Sequence, residues 1–260
     1  MQQLCIFFIS EFTKIIATTG WDGFYSLSST EIIDLNGTCS VSLPDYPMKL
    51  DGATGLYVDG KIVICGGGFP NANRKCYQLK KGGKTFELVF TMESAVRYAK
   101  SIVHQGYMIR SGGYYNGYYN GDVNISGTAE FINHQISNNT VPKPQILLPE
   151  PVSQHAIVNI NQFNSFLIGG ITGSESNKEA YSSRTYFYKN MKWKAGPKLN
   201  IGRKDLTAGV LTDHETNKQH IAVVGGTNGI MLNSVEILFQ GLHFWNKGMF
   251  VHYLNNFQQK

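Results

Sequence analysis

The chain has 260 residues and a formal net charge of +5 at pH 7, from 23 Lys and Arg against 18 Asp and Glu. The basic residues are scattered, which excludes the clustered stripe of a nucleic-acid-binding surface, and no apolar run approaches the roughly 18–20 residues of a membrane span. Hydrophobic residues make up 42% of the chain and charged residues only 16%, a composition that suits many short strands around a continuous core.

The first element is a six-residue apolar run from Leu4 to Ile9 within MQQLCIFFISEF. A secretory signal places basic residues before an apolar run of roughly 7–15 residues, and no Lys or Arg precedes Lys14. We therefore interpret the run as a first inner strand, with an altered signal peptide as the alternative.

Next, a short apolar strand ending in two glycines occurs five times. The stretches are KIIATTG (14–20), KIVICGG (61–67), YMIRSGG (107–113), SFLIGG (165–170) and HIAVVGG (220–226), with Thr19 replacing the leading glycine of the first. A period near 50 residues predicts repeated units that cannot bury their apolar faces alone. Because the repeat runs from end to end, we expect one domain over residues 1–260. The expected structural glycines are Gly20, Gly66, Gly67, Gly112, Gly113, Gly169, Gly170, Gly225 and Gly226.

Three further strands accompany each glycine pair. A polar loop leads to an alternating strand such as SSTEIIDL (28–35) or NSVEILF (233–239), and a third strand carries a large aromatic, as at Phe86, Trp193 and Trp245. A fourth, such as ATGLYV (53–58), leads into the next pair. Four meandering strands per repeat predict the blade of a β-propeller. We expect the glycines where innermost strands crowd the axis and a Cβ would clash, and the aromatics between adjacent blades.

The glycine pairs, the tryptophans and the corner GPKLNIGR (196–203) resemble the Kelch repeat family over nearly the whole chain. The CGGG…C unit and the ending LNSVEILFQGLHFWNKG look more like secreted Kelch-type proteins of invertebrates. The resemblance implies an all-β, Kelch-type β-propeller of four-stranded blades. Such propellers usually have six or seven blades, whereas five repeats are visible here. Only 15 residues follow Trp245, so we expect the last blade to be incomplete.

Cysteines and sequons bear on the compartment. Cys65 ends one strand and Cys76 opens its hairpin partner, so their Cα atoms can come within the roughly 4.4–6.8 Å of a disulfide; two buried free thiols are the alternative. Sequons stand at Asn36, Asn124 and Asn138. Together these features favour an extracellular, glycosylated protein, with the cytoplasm as the alternative location.

No catalytic motif is complete. The histidines form no HExxH, no GxSxG occurs, and KGGKT (81–85) lacks the earlier glycine of a phosphate loop, since position 78 is Gln. Some Kelch propellers are copper-radical oxidases similar to galactose oxidase, but nothing here matches their ligand set residue by residue. We therefore expect no metal, no cofactor and no catalysis, with a metal-dependent oxidase acting on a carbohydrate at the axis as the alternative.

The resemblance also implies a ligand face, made of the loops after the glycine pairs and the corners entering the inner strands. The loop candidates are Trp21, Asp22, Phe69, Asn71, Tyr114, Tyr115, Tyr118, Tyr119, Thr227 and Asn228, and the corner candidates are Arg97, His155 and Arg203. The four tyrosines of YYNGYYNGD (114–122) offer contact area at low entropic cost, or else pack on their own blade. The arginines either pair with acidic groups of a partner or brace the corner through backbone carbonyls. We predict a protein- or peptide-binding scaffold, with a secreted glycan-binding protein as a further alternative.

Overall fold

The computed structural model describes residues 3–8, 14–34, 43–68, 72–104, 107–115, 125–132, 146–161, 164–172, 180–189, 192–213, 215–241 and 244–248. Every regular element in these ranges is a β-strand, so the all-β prediction is confirmed. Within the same ranges there is no helix with the length and hydropathy of a membrane span. The chain divides into two compact units, Met1–Leu147 and Leu148–Lys260.

The first two sheets of the first unit follow one another along the chain. Their strands are β1 (Gln3–Phe8), β2 (Lys14–Trp21), β3 (Ser26–Asp34), β4 (Ala53–Val58), β5 (Lys61–Gly66), β6 (Lys75–Lys80) and β7 (Glu87–Thr91). The first sheet has the order β1-β2-β3 and the second the order β4-β5-β6-β7, all antiparallel. The N-terminal apolar run therefore forms the expected first strand.

The third sheet of this unit is accompanied by a short two-stranded ribbon. The strands are β8 (Val96–Arg97), β9 (Lys100–His104), β10 (Tyr107–Ser111), β11 (Tyr114–Tyr115), β12 (Thr128–Ile132) and β13 (Ile146–Leu147). The sheet has the order β13-β12-β10-β9, and β8 pairs with β11. The glycine-pair strand β10 is again the second strand of its sheet.

The second unit repeats this plan twice. Its strands are β14 (Ala156–Asn161), β15 (Asn164–Ile168), β16 (Ile171–Thr172), β17 (Ala180–Tyr181), β18 (Thr185–Lys189), β19 (Lys192–Ala195), β20 (Thr207–Thr212), β21 (Gln219–Val224), β22 (Val235–Leu238) and β23 (Asn246–Gly248). The sheets have the orders β14-β15-β18-β19 and β20-β21-β22-β23, and β16 pairs with β17.

The expectation of an incomplete last repeat is corrected by β23. Only three residues, Asn246–Gly248, pair with Val235–Ile237, and they give the last sheet its fourth strand. The fourth strand lies at the sheet edge and needs few residues. Among the described residues it is the first sheet, not the last, that has three strands.

Within each unit, consecutive sheets pack face to face. In the first unit, Ile16 of the first sheet and Ile64 of the second share one apolar cluster, while Val63 and Met108 share another between the second and third sheets. In the second unit, Phe166 and Val223 belong to a cluster that joins its two sheets. The first strands of consecutive sheets lie side by side, β1 with β4, β4 with β9, and β14 with β20. The second strands are therefore covered on both faces, as their continuous apolar runs predict.

The large aromatics of the outer strands take two different places. Trp245 is buried in the cluster between the sheets of the second unit, 6.4 Å from the ring of Phe166, and its Nε1 donates to the Pro197 carbonyl at 2.8 Å. Phe86 packs in the same way in the first unit. The prediction of an inter-sheet position is confirmed for these two. Trp193 instead packs on Tyr188 of its own sheet, at 4.9 Å.

Six glycines of the pairs are required because corner backbone approaches them closely. A corner here means the residues just before the first strand of a sheet. A Cβ on Gly67 would lie 2.7 Å from the Asp51 carbonyl oxygen, in the corner of the same sheet. A Cβ on Gly66 would lie 2.6 Å from the Val96 oxygen, in the corner of the next sheet. A Cβ would therefore clash at these glycines, but the atoms that it would meet belong to the corner backbone rather than to other inner strands. Gly113, Gly169, Gly170 and Gly226 make equivalent approaches.

The predicted disulfide is present. Cys65 of β5 and Cys76 of β6 are directly opposite in register, with a Cα–Cα distance of 4.1 Å, and they are bonded through their sulfurs. Both are fully buried in the cluster between the second and third sheets. The two cysteines are 11 residues apart in sequence. The loop after the second glycine pair lies between them.

Candidate functional site

The corners and the loops after the glycine pairs meet at one end of each sheet, which we call the glycine end. In an antiparallel sheet the first strand begins where the second strand finishes. Accordingly, Tyr114 pairs with Arg97 in the two-stranded ribbon that accompanies the third sheet. In the last sheet, Lys204 and Thr227 exchange both backbone hydrogen bonds, each at 2.9 Å.

One position of each described corner has a left-handed backbone. The residues are Gly52 (φ +60°), Tyr98 (+56°), Gln154 (+53°) and Asp205 (+53°). The Tyr98 N–H donates to the Gly52 carbonyl at 2.7 Å, and the Asp205 N–H donates to the Gln154 carbonyl at 2.9 Å. Glycine takes this conformation easily, whereas a bulky residue does so only when its surroundings hold it there. Such residues are candidates for a functional role.

Tyr98 is held in the first unit by three neighbours. Its hydroxyl donates to Asp51 Oδ2 at 2.9 Å, and the Arg97 guanidinium lies 5.3 Å from its ring centroid. The ring of Tyr114 meets it edge-on at 5.9 Å. Asp51 and Arg97 are buried, while both tyrosines are half-buried. The arrangement leaves part of a two-ring surface open to solvent at the glycine end.

Tyr115 follows Tyr114 in β11, and polar side chains surround its phenol. Burial by itself raises the pKa of its phenol, but hydrogen bonds from Ser126, Thr128 and Ser94, with the charge of Arg110, outweigh burial and place the pKa below the ordinary value of 10.0. The Ser126 hydroxyl donates to the phenol oxygen at 3.2 Å. Tyr115 is therefore fixed by its own sheet, which is the alternative proposed for this tyrosine stretch, while remaining half-exposed.

The loop after the first glycine pair presents two aromatic side chains. Asp22 Oδ1 accepts the N–H groups of Tyr25 at 2.7 Å and of Phe24 at 2.8 Å, and these bonds lower the pKa of Asp22. Such an aspartate turn fixes the loop backbone. The side chains of Phe24 and Tyr25 are nevertheless 80% and 71% exposed.

The loop after the last glycine pair presents two aliphatic side chains to solvent, and hydrogen bonds fix its backbone as well. Thr227 Oγ1 donates to the Ile230 carbonyl at 3.0 Å and accepts the Gly229 N–H at 3.2 Å. Ile230 and Met231 are 71% and 61% exposed. Asn228, a predicted ligand residue, is half-buried, and its Oδ1 is buried without a hydrogen-bond partner in the described part of the chain.

Arg203 braces the fold from a fully buried position, which is the second of the two roles considered for it. Its Nη2 lies 2.6 Å from Glu236 Oε1, and its Nη1 donates to the Gly225 carbonyl at 2.8 Å. Glu236 also accepts both the backbone N–H and the Nδ2 of Asn200, and the N–H of Ile201. The pair joins the corner of the last sheet to that sheet's third strand.

The other predicted residues are distributed over interior and surface. Arg97 and His155 are buried, Trp21 is half-buried at the end of β2, and Asp22 is exposed. Several predictions lie outside the described residues: the loop positions Phe69, Asn71, Tyr118 and Tyr119 and the sequon positions Asn36, Asn124 and Asn138.

Sequence reasoning missed the left-handed corner residues and the two exposed apolar pairs. The corner signal was present, because Asp51-Gly52, Arg97-Tyr98, Ser153-Gln154 and Lys204-Asp205 stand at the same place before each first strand. The exposure of Phe24 and Ile230 had no signal in sequence, because an apolar residue in a short loop can equally fold back onto its own sheet.

In the described ranges, no three His, Cys, Asp or Glu side chains form a group that could hold a metal ion. No protein-family model matches the chain, and no curated protein matches it either. Solved structures do match, in 295 chains. One of them, YjhT, has a TM-score of 0.73 at 13% sequence identity, covering 95% of this chain and 83% of YjhT. At this identity the likeness shows a shared fold and carries no function with it.

Proposed function

We propose that the chain is a single Kelch-type β-propeller domain that binds a protein or peptide without catalysis, through the loops of its glycine end. The recurring four-stranded sheets, their face-to-face packing within each unit and their adjacent first strands support the propeller assignment. The glycine pairs at the corners support the Kelch assignment.

One observation carries the binding role. Two of the loops after glycine pairs present adjacent large apolar side chains to solvent, Phe24 with Tyr25 and Ile230 with Met231, and hydrogen bonds fix both loops. Exposed apolar side chains grouped on a surface mark interaction sites. A backbone that is already ordered loses little entropy when a partner binds.

The proposed binding needs no cofactor, because apolar contacts and hydrogen bonds supply its free energy. We further propose that the protein is extracellular, since stable disulfides such as Cys65–Cys76 belong to oxidising compartments. Metal analysis of the purified protein tests the non-catalytic part. One equivalent of copper or iron would favour the oxidase alternative.

Peptide selection tests the binding role. A library of random peptides displayed on phage is panned against the purified chain, and the selected clones are assayed against F24S/Y25S, I230S/M231S and the control L88S. Leu88 is also exposed, at 53%, but it lies on β7 at the outer edge of its sheet.

We expect clones that bind the wild type and L88S equally and lose at least tenfold in binding to one of the loop variants, since central apolar contacts are each worth more than 1 kcal/mol. Clones that ignore both loop variants would contradict the proposal. A glycan array with a strong, loop-dependent signal and no selected peptides would replace it by the glycan-binding alternative.

A further inference from the structure

Three exposed lysines, Lys189, Lys192 and Lys194, lie together at the outer edge of the sheet β14-β15-β18-β19, and we call them the lysine row. Ile168, which precedes the glycine pair of this sheet, is opposite Thr185, so β18 runs away from the glycine end and finishes at Lys189. Lys189 is directly opposite Lys192 of the outer strand β19, and Lys194 follows two residues later. The lysine row therefore begins at the end of the sheet remote from the glycine end.

The side chains of the lysine row point to one face of the sheet. Directly opposite residues of an antiparallel pair share a face, with Cβ atoms about 4.5–5.5 Å apart, and residues two apart along a strand share it at about 6.8 Å. Phe187, opposite Lys194, is on the same face and packs against the apolar cluster that joins the two sheets of this unit. The lysines therefore form a line of three positive charges beside a packed aromatic ring.

No acidic side chain balances these charges within the described ranges. Strands β18 (TYFYK) and β19 (KWKA) contain neither Asp nor Glu, and no ion pair among the described residues involves a lysine of the row. In the second sheet the third strand also ends in a lysine, Lys80, but Glu87 on the outer strand pairs with it at 3.3 Å. The opposition of Lys189 and Lys192 instead costs free energy, since like charges directly opposite destabilise a strand pair.

Protection of the sheet edge explains only part of this arrangement. Lysines on an outer strand hinder pairing with another chain, and Lys192 and Lys194 are placed to do so. Lys189, however, belongs to β18, an interior strand that presents no edge. A positive charge that is unbalanced and that edge protection does not require is consistent with a ligand of opposite charge.

We propose that the lysine row binds a linear sulfated polysaccharide. Short lysine-rich segments such as KNMKWK (189–194) are typical of surfaces that bind heparin or nucleic acids. A chain of sulfate groups meets all three ammonium groups at once and offsets the repulsion between Lys189 and Lys192, whereas one small anion reaches only that pair. Lysine suits such a ligand because its flexible stem imposes no fixed bidentate geometry.

Two observations favour a polysaccharide over a nucleic acid. Single-stranded nucleic acids stack their bases on exposed aromatic rings, but Phe187 packs against the cluster, and Trp193, on the opposite face, packs on Tyr188. The Cys65–Cys76 disulfide favours an oxidising, extracellular compartment, where sulfated polysaccharides occur. The lysine row is separate from the loops proposed to bind a peptide, so the two functions can be tested separately.

The test measures the binding of fluorescein-labelled heparin to the full chain by fluorescence anisotropy, at about 0.15 M salt. The variants are K189Q/K192Q, K192E and the control K75Q/K100Q. Lys75 and Lys100 are exposed and begin β6 and β9, near the glycine ends of two sheets of the first unit. The control therefore removes the same amount of charge from elsewhere on the protein.

We expect K189Q/K192Q to weaken heparin binding about four- to 25-fold, since each exposed ion pair contributes roughly two- to fivefold, and K75Q/K100Q to change it by less than about twofold. The Kd of K189Q/K192Q should also depend less steeply on salt, because fewer counterions are released. K192E should weaken binding by more than about twofold. It should unfold at the same urea concentration as the wild type or a higher one, because it creates the Lys–Glu arrangement of the second sheet.

Three results would overturn the inference. The wild type does not bind heparin, or the two double variants lose binding equally, which would leave attraction by net charge alone. Single-stranded DNA or polyglutamate that binds through these lysines more tightly than heparin would replace the polysaccharide by another polyanion. Peptides selected for the glycine end should bind K189Q/K192Q as tightly as the wild type, so failure of the polysaccharide site leaves the peptide-binding function standing.

Discussion

The buried pair of Arg203 and Glu236 allows a prediction with a matched control. The substitution Glu236→Gln keeps the size of the side chain but removes its charge and one of its two acceptor oxygens. In the structure Oε1 accepts from Ile201 and Arg203, and Oε2 accepts twice from Asn200. Whichever position the amide nitrogen takes, it faces two donors.

The magnitude follows from burial. Both side chains of the pair are 0% exposed, so the Arg203 charge would remain buried without its counter-charge. Removing one partner of a buried ion pair costs about 3–5 kcal/mol, a large part of the roughly 5–15 kcal/mol that stabilises a typical domain. We expect E236Q to lower the free energy of unfolding by about this amount.

Urea unfolding monitored by circular dichroism measures the effect. Glu31 is the control, because it occupies the same place in the first sheet, opposite Ala17 as Glu236 is opposite Val223, but is exposed. E31Q should stay within about 0.5 kcal/mol of the wild type. If E236Q lowered the free energy of unfolding by less than about 1 kcal/mol, or if both variants lowered it equally, the buried pair would not brace the corner.

Three further predictions concern the disulfide, the glycine pairs and a tyrosine. The variant C65S/C76S should lose about 2.8 kcal/mol in urea unfolding, the loop entropy for 11 residues; an unchanged midpoint at an unchanged slope would contradict this. Gly170→Ala should lower the free energy of unfolding by more than about 1 kcal/mol, because the new Cβ would lie 2.6 Å from a backbone oxygen and the residue has φ +98°. Gly209→Ala is the control and should cause no such loss, because nothing lies within 4 Å of its Cβ. The Tyr115 phenol should titrate below 10.0 in ultraviolet absorbance, in a step absent from Y115F. Between the folded pKa and 10.0 the unfolded chain holds more protons at Tyr115 than the folded chain does, so the free energy of unfolding should rise with pH. This contribution to stability is fully present above pH 10.0 and is lost as the pH falls through the folded pKa. A phenol that titrates at or above 10.0 would exclude it.

Much of the fold was predictable because it depends on local patterns. Strand β4 begins and ends at the predicted residues, Ala53 and Val58. It is, however, the first strand of the sheet that contains the following glycine-pair strand, not the fourth strand of the preceding repeat. The disulfide was predictable because a hairpin brings Cys65 opposite Cys76. The last sheet was mispredicted because the strand after Trp245 was counted as the third of its repeat, whereas β20, the strand before the glycine pair, belongs to the same sheet and makes it the fourth.

The candidate site was predictable only in part. The loops after the glycine pairs were identified, but Arg203 and His155, expected at the surface, are fully buried. Whether an arginine turns outward to a partner or inward depends on what lies across the corner. Here that is Glu236, 33 residues further along the chain.

The sequence alone determined that this protein is built from repeated antiparallel sheets, because apolar alternation and paired glycines act over neighbouring residues and need no long-range information. Only the tertiary structure decided which side chains are exposed. That depends on residues distant in sequence, such as the Gln154 amide that orients Asp205 from 51 positions away. The exposed apolar pairs therefore emerged only when the sheets were packed together.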